Sequence, residues 1–200
     1  MRGVVRVMLM SMLATSAAAS ESPEVRQERG EWRVIYLNAS DLSRLRIITE
    51  EERQEILLRY YDTHHEAFTK AVEEKIEKWG HCLIIDCHSF YPTALPYELN
   101  KNDDRPDFCI GTSDYHTPKK MTEALVIFFE GHGYSVKLNS PFAGTFVPMK
   151  YFEKDKRVYS VMIEVNRKLY MDVPGEKNNR FPIIQSVLKE CIAVIEKKVE

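Results

Sequence analysis

A continuous apolar run, Leu83 to Ile85, constrains the fold more than any other part of this chain. It follows Gly80, which ends a helical pattern, and uninterrupted apolar strands are typical of a sheet that helices cover on both faces. The run ends in Asp86-Cys87-His88-Ser89, and functional side chains commonly lie where a strand of an α/β sheet ends. The sequence therefore predicts a central strand over 81–88 that ends in a functional histidine.

Helical and strand patterns alternate along the rest of the chain. Thr49 and Glu52 have the spacing of a capping box at the start of a long helix that Gly80 ends. Further helices are predicted from Pro118, taken as the first helical position, to Gly131, and over 179–199. Strands are predicted over 32–37, 134–138 and 158–165, whereas 91–117 has no regular period. This order predicts an α/β fold with a mixed or parallel sheet.

The amino terminus has the outline of a secretory signal. Arg2 precedes an apolar run, and Arg6 interrupts the start of that run, which ends near Ala17-Ala18-Ala19. The run is too short to span a membrane. A mis-assigned start codon is an equally open explanation. In either case we expect residues 1–30 to form a leader outside an α/β domain that covers 31–200.

The composition narrows the class of protein. Apolar residues at 44%, charged residues at 29% and a net charge of −2 describe one soluble domain. The sequence has no basic stripe that would indicate binding to nucleic acid, and no segment that would indicate a membrane. The oligomeric state is left open. The 4 cysteines form no C-x-x-C pair, so we expect thiols in a reducing compartment such as the cytoplasm, or a secreted or periplasmic protein if residues 1–19 are a signal.

His88 is the first candidate for chemistry. Asp86 lies on the same face of the predicted strand, because strand side chains repeat with period two, and would orient the imidazole. An imidazole held in this way suits a metal ligand or a general base. The alternative is a hydrogen-bonded histidine in the core, and the sequence shows no second ligand of similar quality for a zinc ion, which usually has three.

Glu164 is the second candidate. It stands within the apolar strand Val161 to Val165, where a carboxylate is costly unless it is paired or used. Burial would raise its pKa, which suits a general base. The alternatives are a solvent-facing acid or a structural partner of Arg167, whose guanidinium suits either a substrate carboxylate or an ordinary salt bridge.

The turn-rich loop from Asn139 to Gly144 is a candidate for substrate binding. Gly144 would permit close approach of the backbone to a ligand, and Asn139 and Phe142 would lie against it. Ser89, next to His88, is added to this predicted substrate-binding set.

Five segments together resemble the N-formylglutamate amidohydrolase family. They stand in the family's order and spacing from about residue 45 to the carboxyl terminus. The segments are Tyr60-Tyr61-Asp62-Thr63-His64-His65, Ile85-Asp86-Cys87-His88-Ser89, Pro106 to Thr112, Asn139 to Gly144, and Ile163 to Asp172.

The resemblance implies a phosphorylase/hydrolase-like three-layer α/β sandwich with a mixed sheet, and a zinc enzyme that hydrolyses N-formyl or other N-acyl amino acids. His88 would be a zinc ligand with Asp86 behind it, and Glu164 the general base. Arg167 and the loop from Asn139 to Gly144 would shape the substrate pocket. The products would be formate and an amino acid.

The chain departs from the family pattern before its long helix. A family Pro-His-x-Gly type loop, with an earlier histidine and glutamate that complete the zinc site, has no counterpart here. We therefore expect a sheet that lacks its first strands and an incomplete zinc site. Three explanations stay open: a fragment of the enzyme that is inactive because it is truncated, a degenerate paralogue, or a protein that completes its site from elsewhere. A non-catalytic binding module for acidic amino-acid derivatives and a structural protein that pairs through an exposed sheet edge remain as alternatives.

Overall fold

The computed structural model describes most of the chain from residue 47 onward. The described residues are 6–10 (backbone only), 43–44, 47–96, 98, 100–102, 104–173 and 175–198. The strand predicted over 32–37 lies outside them. No helix in these ranges is long and apolar enough to cross a membrane.

Five strands form one mixed sheet in the order β1-β2-β5-β3-β4. β1, β2 and β5 are parallel, β3 runs antiparallel to β5, and β4 is parallel to β3. The mixed α/β class predicted from the sequence is confirmed. The strands are β1 Arg6–Met10, β2 Cys82–Phe90, β3 Phe108–Gly111, β4 Val136–Leu138 and β5 Val158–Asn166.

The helices agree with the sequence pattern except in detail. They are α1 Glu50–Ile56, α2 Thr63–Trp79, α3 Lys119–Gly131 and α4 Phe181–Glu196, and a π-helical segment, Leu57–Asp62, joins α1 to α2. The capping box at Thr49 is present, and Gly80 ends α2 with φ 79°. Pro118 is the N-cap of α3 and not its first helical residue, because its ψ of 138° is extended.

Helices cover the sheet on both faces. α3 and α4 pack on one face, where Leu83 and Ile85 of β2 lie in a core with Phe108 and Val161. α2 packs on the other face, where its Val72 lies in a cluster with Cys82 and Ile84. Burying each large aliphatic side chain contributes about 1.5–3 kcal/mol, which explains why the first half of β2, Cys82 to Ile85, is apolar on both faces.

β1 lies in the part of the chain that the sequence pattern assigns to a leader. Its residues pair in parallel with β2, with Arg6 opposite Leu83 and Met10 opposite Cys87. The apolar run that indicates a signal also suits a strand, since both are short apolar runs. The division into a leader and a domain stays a prediction.

A small hairpin follows β5. One turn of 3-10 helix, Arg167–Leu169, leads into β6 Met171–Val173 and β7 Glu176–Lys177. This segment carries the chain from the end of β5 to α4, and its first residue is Arg167.

Candidate active site

Strand register places His88 and Glu164 side by side. His88 is opposite Glu164 in the β2–β5 pair. On the other neighbouring strand of β5, Cys109 of β3 is also opposite Glu164. Paired residues on neighbouring strands point to the same face of a sheet. The two principal candidates from the sequence therefore form one row across three strands, on the face that α2 covers further down.

Asp86 orients His88. The Nε2 of His88 lies 2.7 Å from Asp86 Oδ1, and the two side chains are only 9% and 7% exposed. Burial by itself would lower the pKa of His88, but the hydrogen bond and the charge of Asp86, with the charge of Glu164, raise it above its usual value. With Nε2–H donated to Asp86, the other ring nitrogen, Nδ1, is available to a ligand.

Glu164 is a buried carboxyl group with an unused oxygen. It is 1% exposed, and its Oε2 has no hydrogen-bond partner among the described residues. Burial raises its pKa to about 7; the charge of Asp86 adds to this effect, and those of His88 and Arg167 oppose it. A carboxyl with this pKa exchanges a proton readily near neutral pH.

Arg167 follows the end of β5 and is held in place by two neighbours. Its Nε donates to Ser89 Oγ over 3.1 Å, and its guanidinium lies 4.3 Å from the ring centre of Tyr91. Within the described ranges Arg167 forms no ion pair with Glu164, so the structural pairing considered from the sequence does not occur there. The planar group is instead stacked and oriented beside the row.

The loop from Asn139 to Gly144 is tied to the end of β3. Asn139, at φ 52°, accepts a 2.9 Å hydrogen bond from Thr112 N–H and donates a 2.8 Å bond to Thr112 Oγ1. Gly144 N–H also donates to Asn139 Oδ1, at 3.4 Å. The amide of Asn139 thus shapes the loop, while its predicted contact with substrate stays a prediction.

Phe142 is the part of this loop that reaches the sheet. Its buried ring meets the ring of Phe90 edge to face, 5.5 Å between centres. Its carbonyl oxygen accepts a 3.1 Å hydrogen bond from Cys109 Sγ. The loop therefore covers the sheet next to Glu164, where the helix α2 does not reach.

Sequence reasoning missed two charged residues of this region. Arg105 and Glu98 form a buried ion pair, with side chains 1% and 3% exposed. Both lie in the segment 91–117, and without a period no pattern could relate them. The sequence signal was the long irregular segment itself, since such segments tend to carry function.

The donor set does not fit a complete zinc centre. The described residues contain no group of three His, Cys, Asp or Glu side chains that could hold a metal ion, whereas catalytic zinc usually has three protein ligands. His88 with Asp86 behind it matches a single ligand with its orienting carboxylate.

Comparison with known proteins gives one consistent result. The family model described as N-formylglutamate amidohydrolase matches residues 13–171. The match includes residues 13–30, which the sequence pattern assigns to a leader. An N-formylglutamate deformylase of Pseudomonas putida is 26% identical over 124 residues, which are 61% of this chain and 45% of that protein.

Solved structures agree in fold. The crystal structure of an N-formylglutamate amidohydrolase from Ralstonia eutropha JMP134 has a TM-score of 0.66 and 26% identity, over 82% of this chain and 60% of that one. A gene product of Agrobacterium tumefaciens, 15% identical, has a TM-score of 0.51 over 80% and 61% of the two chains. The chain thus spans about half to three fifths of the length of these relatives.

Proposed function

The chain belongs to the N-formylglutamate amidohydrolase family, and we propose that it hydrolyses the amide bond of N-formyl, or other N-acyl, amino acids such as N-formylglutamate. The observation that carries this proposal is the buried carboxyl of Glu164, whose Oε2 has no hydrogen-bond partner among the described residues and which lies beside the His88–Asp86 pair at the end of two parallel strands. Formate and an amino acid would be released.

Glu164 would act as the general base and then as the general acid. As a carboxylate it removes a proton from water, and the oxygen forms a bond to the acyl carbon of the amide. When the C–N bond of the tetrahedral intermediate breaks, Glu164 returns the proton to the leaving amine. A pKa of about 7 supports both steps, because neither protonation state is strongly favoured near neutral pH.

Arg167 would bind the carboxylate of the substrate. Its Nε is engaged with Ser89 and its face with Tyr91, which leaves its two terminal nitrogens for a ligand as far as the described residues extend. Two parallel N–H donors match the two oxygens of a carboxylate. Asn139, Phe142 and Gly144 are proposed to line the pocket from the covering loop, and Ser89 to act through Arg167.

Zinc is the cofactor that the family resemblance implies, with His88 as one ligand. The described residues do not by themselves fit such a centre, and the proposed steps use only protein groups and water. A reducing compartment is likewise proposed, supported by the four free thiols.

The test is release of formate from N-formylglutamate, which a coupled formate assay measures with and without added zinc. We expect Glu164→Gln to lower the rate by roughly 100-fold or more, because general-base catalysis contributes about that much. Glu130→Gln, at an exposed acid of α3, is the matched control and should leave the rate unchanged. No release by the wild-type chain under either condition would refute the proposal.

A second candidate is a binding module for acidic amino-acid derivatives. It is favoured by the absence of a three-donor metal group from the described residues and by the held guanidinium of Arg167. Calorimetric binding of N-formylglutamate that a chelator does not change, without turnover, would favour this function over hydrolysis.

A further inference from the structure

The buried ion pair between Arg105 and Glu98 lies over the end of β2. Arg105 Nη2 contacts both Glu98 Oε2 and, at 3.3 Å, the carbonyl oxygen of Asn100. Arg105 Nη1 donates to the carbonyl oxygen of Tyr91 at 3.4 Å. One guanidinium therefore joins three points of the irregular segment that follows β2.

The same guanidinium lies beside two aromatic rings that contact each other. Its central carbon is 5.9 Å from the ring centre of Phe90 and 5.7 Å from that of Phe142. Phe90 is the last residue of β2, two residues after His88, and Phe142 belongs to the covering loop. Arg105 thus connects the strand that carries His88 to the loop that covers the row.

Stability alone is a weak explanation for this pair. Burying two charges costs several kcal/mol per ion, and replacing such a pair by apolar residues is often neutral or stabilising. Arg105 also keeps a buried Nε without a partner among the described residues. What an arginine offers here, and an apolar residue does not, is a rigid fork that fixes several partners at defined angles.

We propose that Arg105 is a positioning residue that, with Glu98, holds the Phe142 loop and the end of β2 in register over the candidate site. The inference rests on the proposed function for its catalytic consequence, but its structural part can be measured independently. The competing explanation is that each charge merely neutralises the other.

Cys109 reports on the loop without any assay of activity. It is fully buried, and its thiol donates to the carbonyl oxygen of Phe142, so the thiol becomes accessible when the loop lifts. Cys191, buried in the core of the opposite face, reports on unfolding of the whole domain. Labelling with N-ethylmaleimide, followed by peptide mass spectrometry, measures both thiols in one experiment.

The informative variant is the double substitution Arg105→Met/Glu98→Gln, because it removes both charges together. If Arg105 positions the loop, Cys109 reacts at least about tenfold faster, as expected for a local opening, while Cys191 keeps its wild-type rate. Arg157→Met is the matched control: it removes an arginine from another carboxylate pair, with Asp155 at 2.7 Å, on the exposed surface. It should change neither thiol.

Activity is measured on the same samples. We expect kcat/KM for N-formylglutamate to fall about tenfold or more in the double variant, since small displacements of positioned groups are costly. Wild-type protection of Cys109 in the double variant would overturn the inference, whatever the activity. If Cys191 also reacts faster, the labelling of Cys109 is measured in Arg105→Lys, which keeps a charge beside Glu98 but not the rigid fork. Faster labelling of Cys109 alone in this variant supports the inference, and wild-type labelling overturns it. A wild-type chain without activity would refute the proposed function, while the labelling of Cys109 would still decide this inference.

Discussion

Glu164 is the residue at which stability and chemistry oppose each other. An ionised carboxylate with one oxygen that lacks a hydrogen-bond partner among the described residues is costly inside a strand whose other residues, apart from Tyr159, are buried. The cost appears as a pKa of about 7, well above that of an exposed glutamate. A fold selected for stability alone would place an apolar residue there, so the position suggests use.

This conflict predicts how Glu164→Gln changes stability with pH. The folded-state pKa is raised, so the protonated form favours folding below the unfolded value of about 4.5, and this contribution is lost as the pH rises through about 7. When the pH rises from about 5 to about 8, the wild type should therefore lose about 2 to 3 kcal/mol of its free energy of unfolding relative to Glu164→Gln. The variant has no carboxyl at this position and so gains stability relative to the wild type by the same amount. Urea unfolding at both pH values measures it.

The difference between the two pH values removes costs of the substitution that do not depend on pH. Glu130→Gln, at an exposed position, is the control and should show no such gain. If the free energies of unfolding of Glu164→Gln and the wild type differ by the same amount at both pH values, Glu164 titrates normally. The argument for a proton-exchanging group at this site would then fail.

The sequence identified single residues where their setting was unusual. An acid within an apolar strand marked Glu164, and the period of two related Asp86 to His88; the structure joins both to one row. Arg105 is not identified from the sequence, because only the fold brings its partners together: the carboxylate of Glu98, two backbone carbonyls and two rings. The contact of Asn139 with substrate stays a prediction; what the structure shows is that its amide shapes its own loop.

At the scale of elements, the end of β3 and the covering loop pack without space between them. A Cβ on Gly111 would clash with the carbonyl oxygen of Gly144 and with the side chain of Met162. Since one of these atoms belongs to the backbone, the clash cannot be relieved by a rotamer change. The glycine is required because the loop passes directly over the strand.

Gly111→Ala should therefore displace the loop. We expect a loss of about 1–3 kcal/mol in the free energy of unfolding, the usual cost of overpacking, together with loss of formate release. Gly131→Ala is a sharp control, because a Cβ there meets nothing within 4 Å and φ is not positive. Chemical denaturation and the formate assay compare the two; equal behaviour would show that the loop adapts.

The start of β5 is held by a histidine that is not part of the proposed mechanism. His116 Nδ1 donates to the carbonyl oxygen of Val158 at 2.7 Å, and its Nε2 accepts from Glu153 N–H at 2.9 Å. Only the neutral ring makes both bonds. Burial lowers its pKa and nearby Lys156 adds to this, against the opposing effect of the Val158 carbonyl.

This predicts a stability loss in mild acid. Because the folded-state pKa lies below the unfolded value of about 6.5, the contribution of His116 is present above that value and declines as the pH falls through it. The free energy of unfolding of the wild type should fall between about pH 7.5 and about pH 5.5 by more than that of His116→Gln. Urea titrations at both pH values decide; His132→Gln, at a more exposed ring, should follow the wild type.

Elements with strong local signals were predicted well. Gly80 ends α2, the capping box forms at Thr49, and the central strand extends two residues beyond its predicted end at His88. β3 appeared only as a short apolar stretch in an irregular segment, since four residues are too few to show a period. The π-helical segment within the long helix has no distinctive sequence signal.

At the scale of the whole molecule, the candidate site depends on contacts between distant parts of the chain. β2, β5 and the loop from Asn139 to Gly144 each supply one part of it, and none of them is functional alone. Residue types and local periods can indicate the parts, but only strand order and register determine that His88 and Glu164 adjoin. The family resemblance supplied that arrangement before the structure did.

Zinc retention separates the family's chemistry from what this chain provides. All 6 histidines of the sequence lie in the described ranges, and no three donors there form a metal group. Because tight catalytic zinc needs three protein ligands, the purified chain, loaded with zinc and dialysed, should retain well under one zinc ion by elemental analysis. One zinc per chain, lost in His88→Ala and kept in His132→Ala, would contradict this expectation. It would mean that ligands beyond the described residues complete the site, and the hydrolytic mechanism would then include the metal.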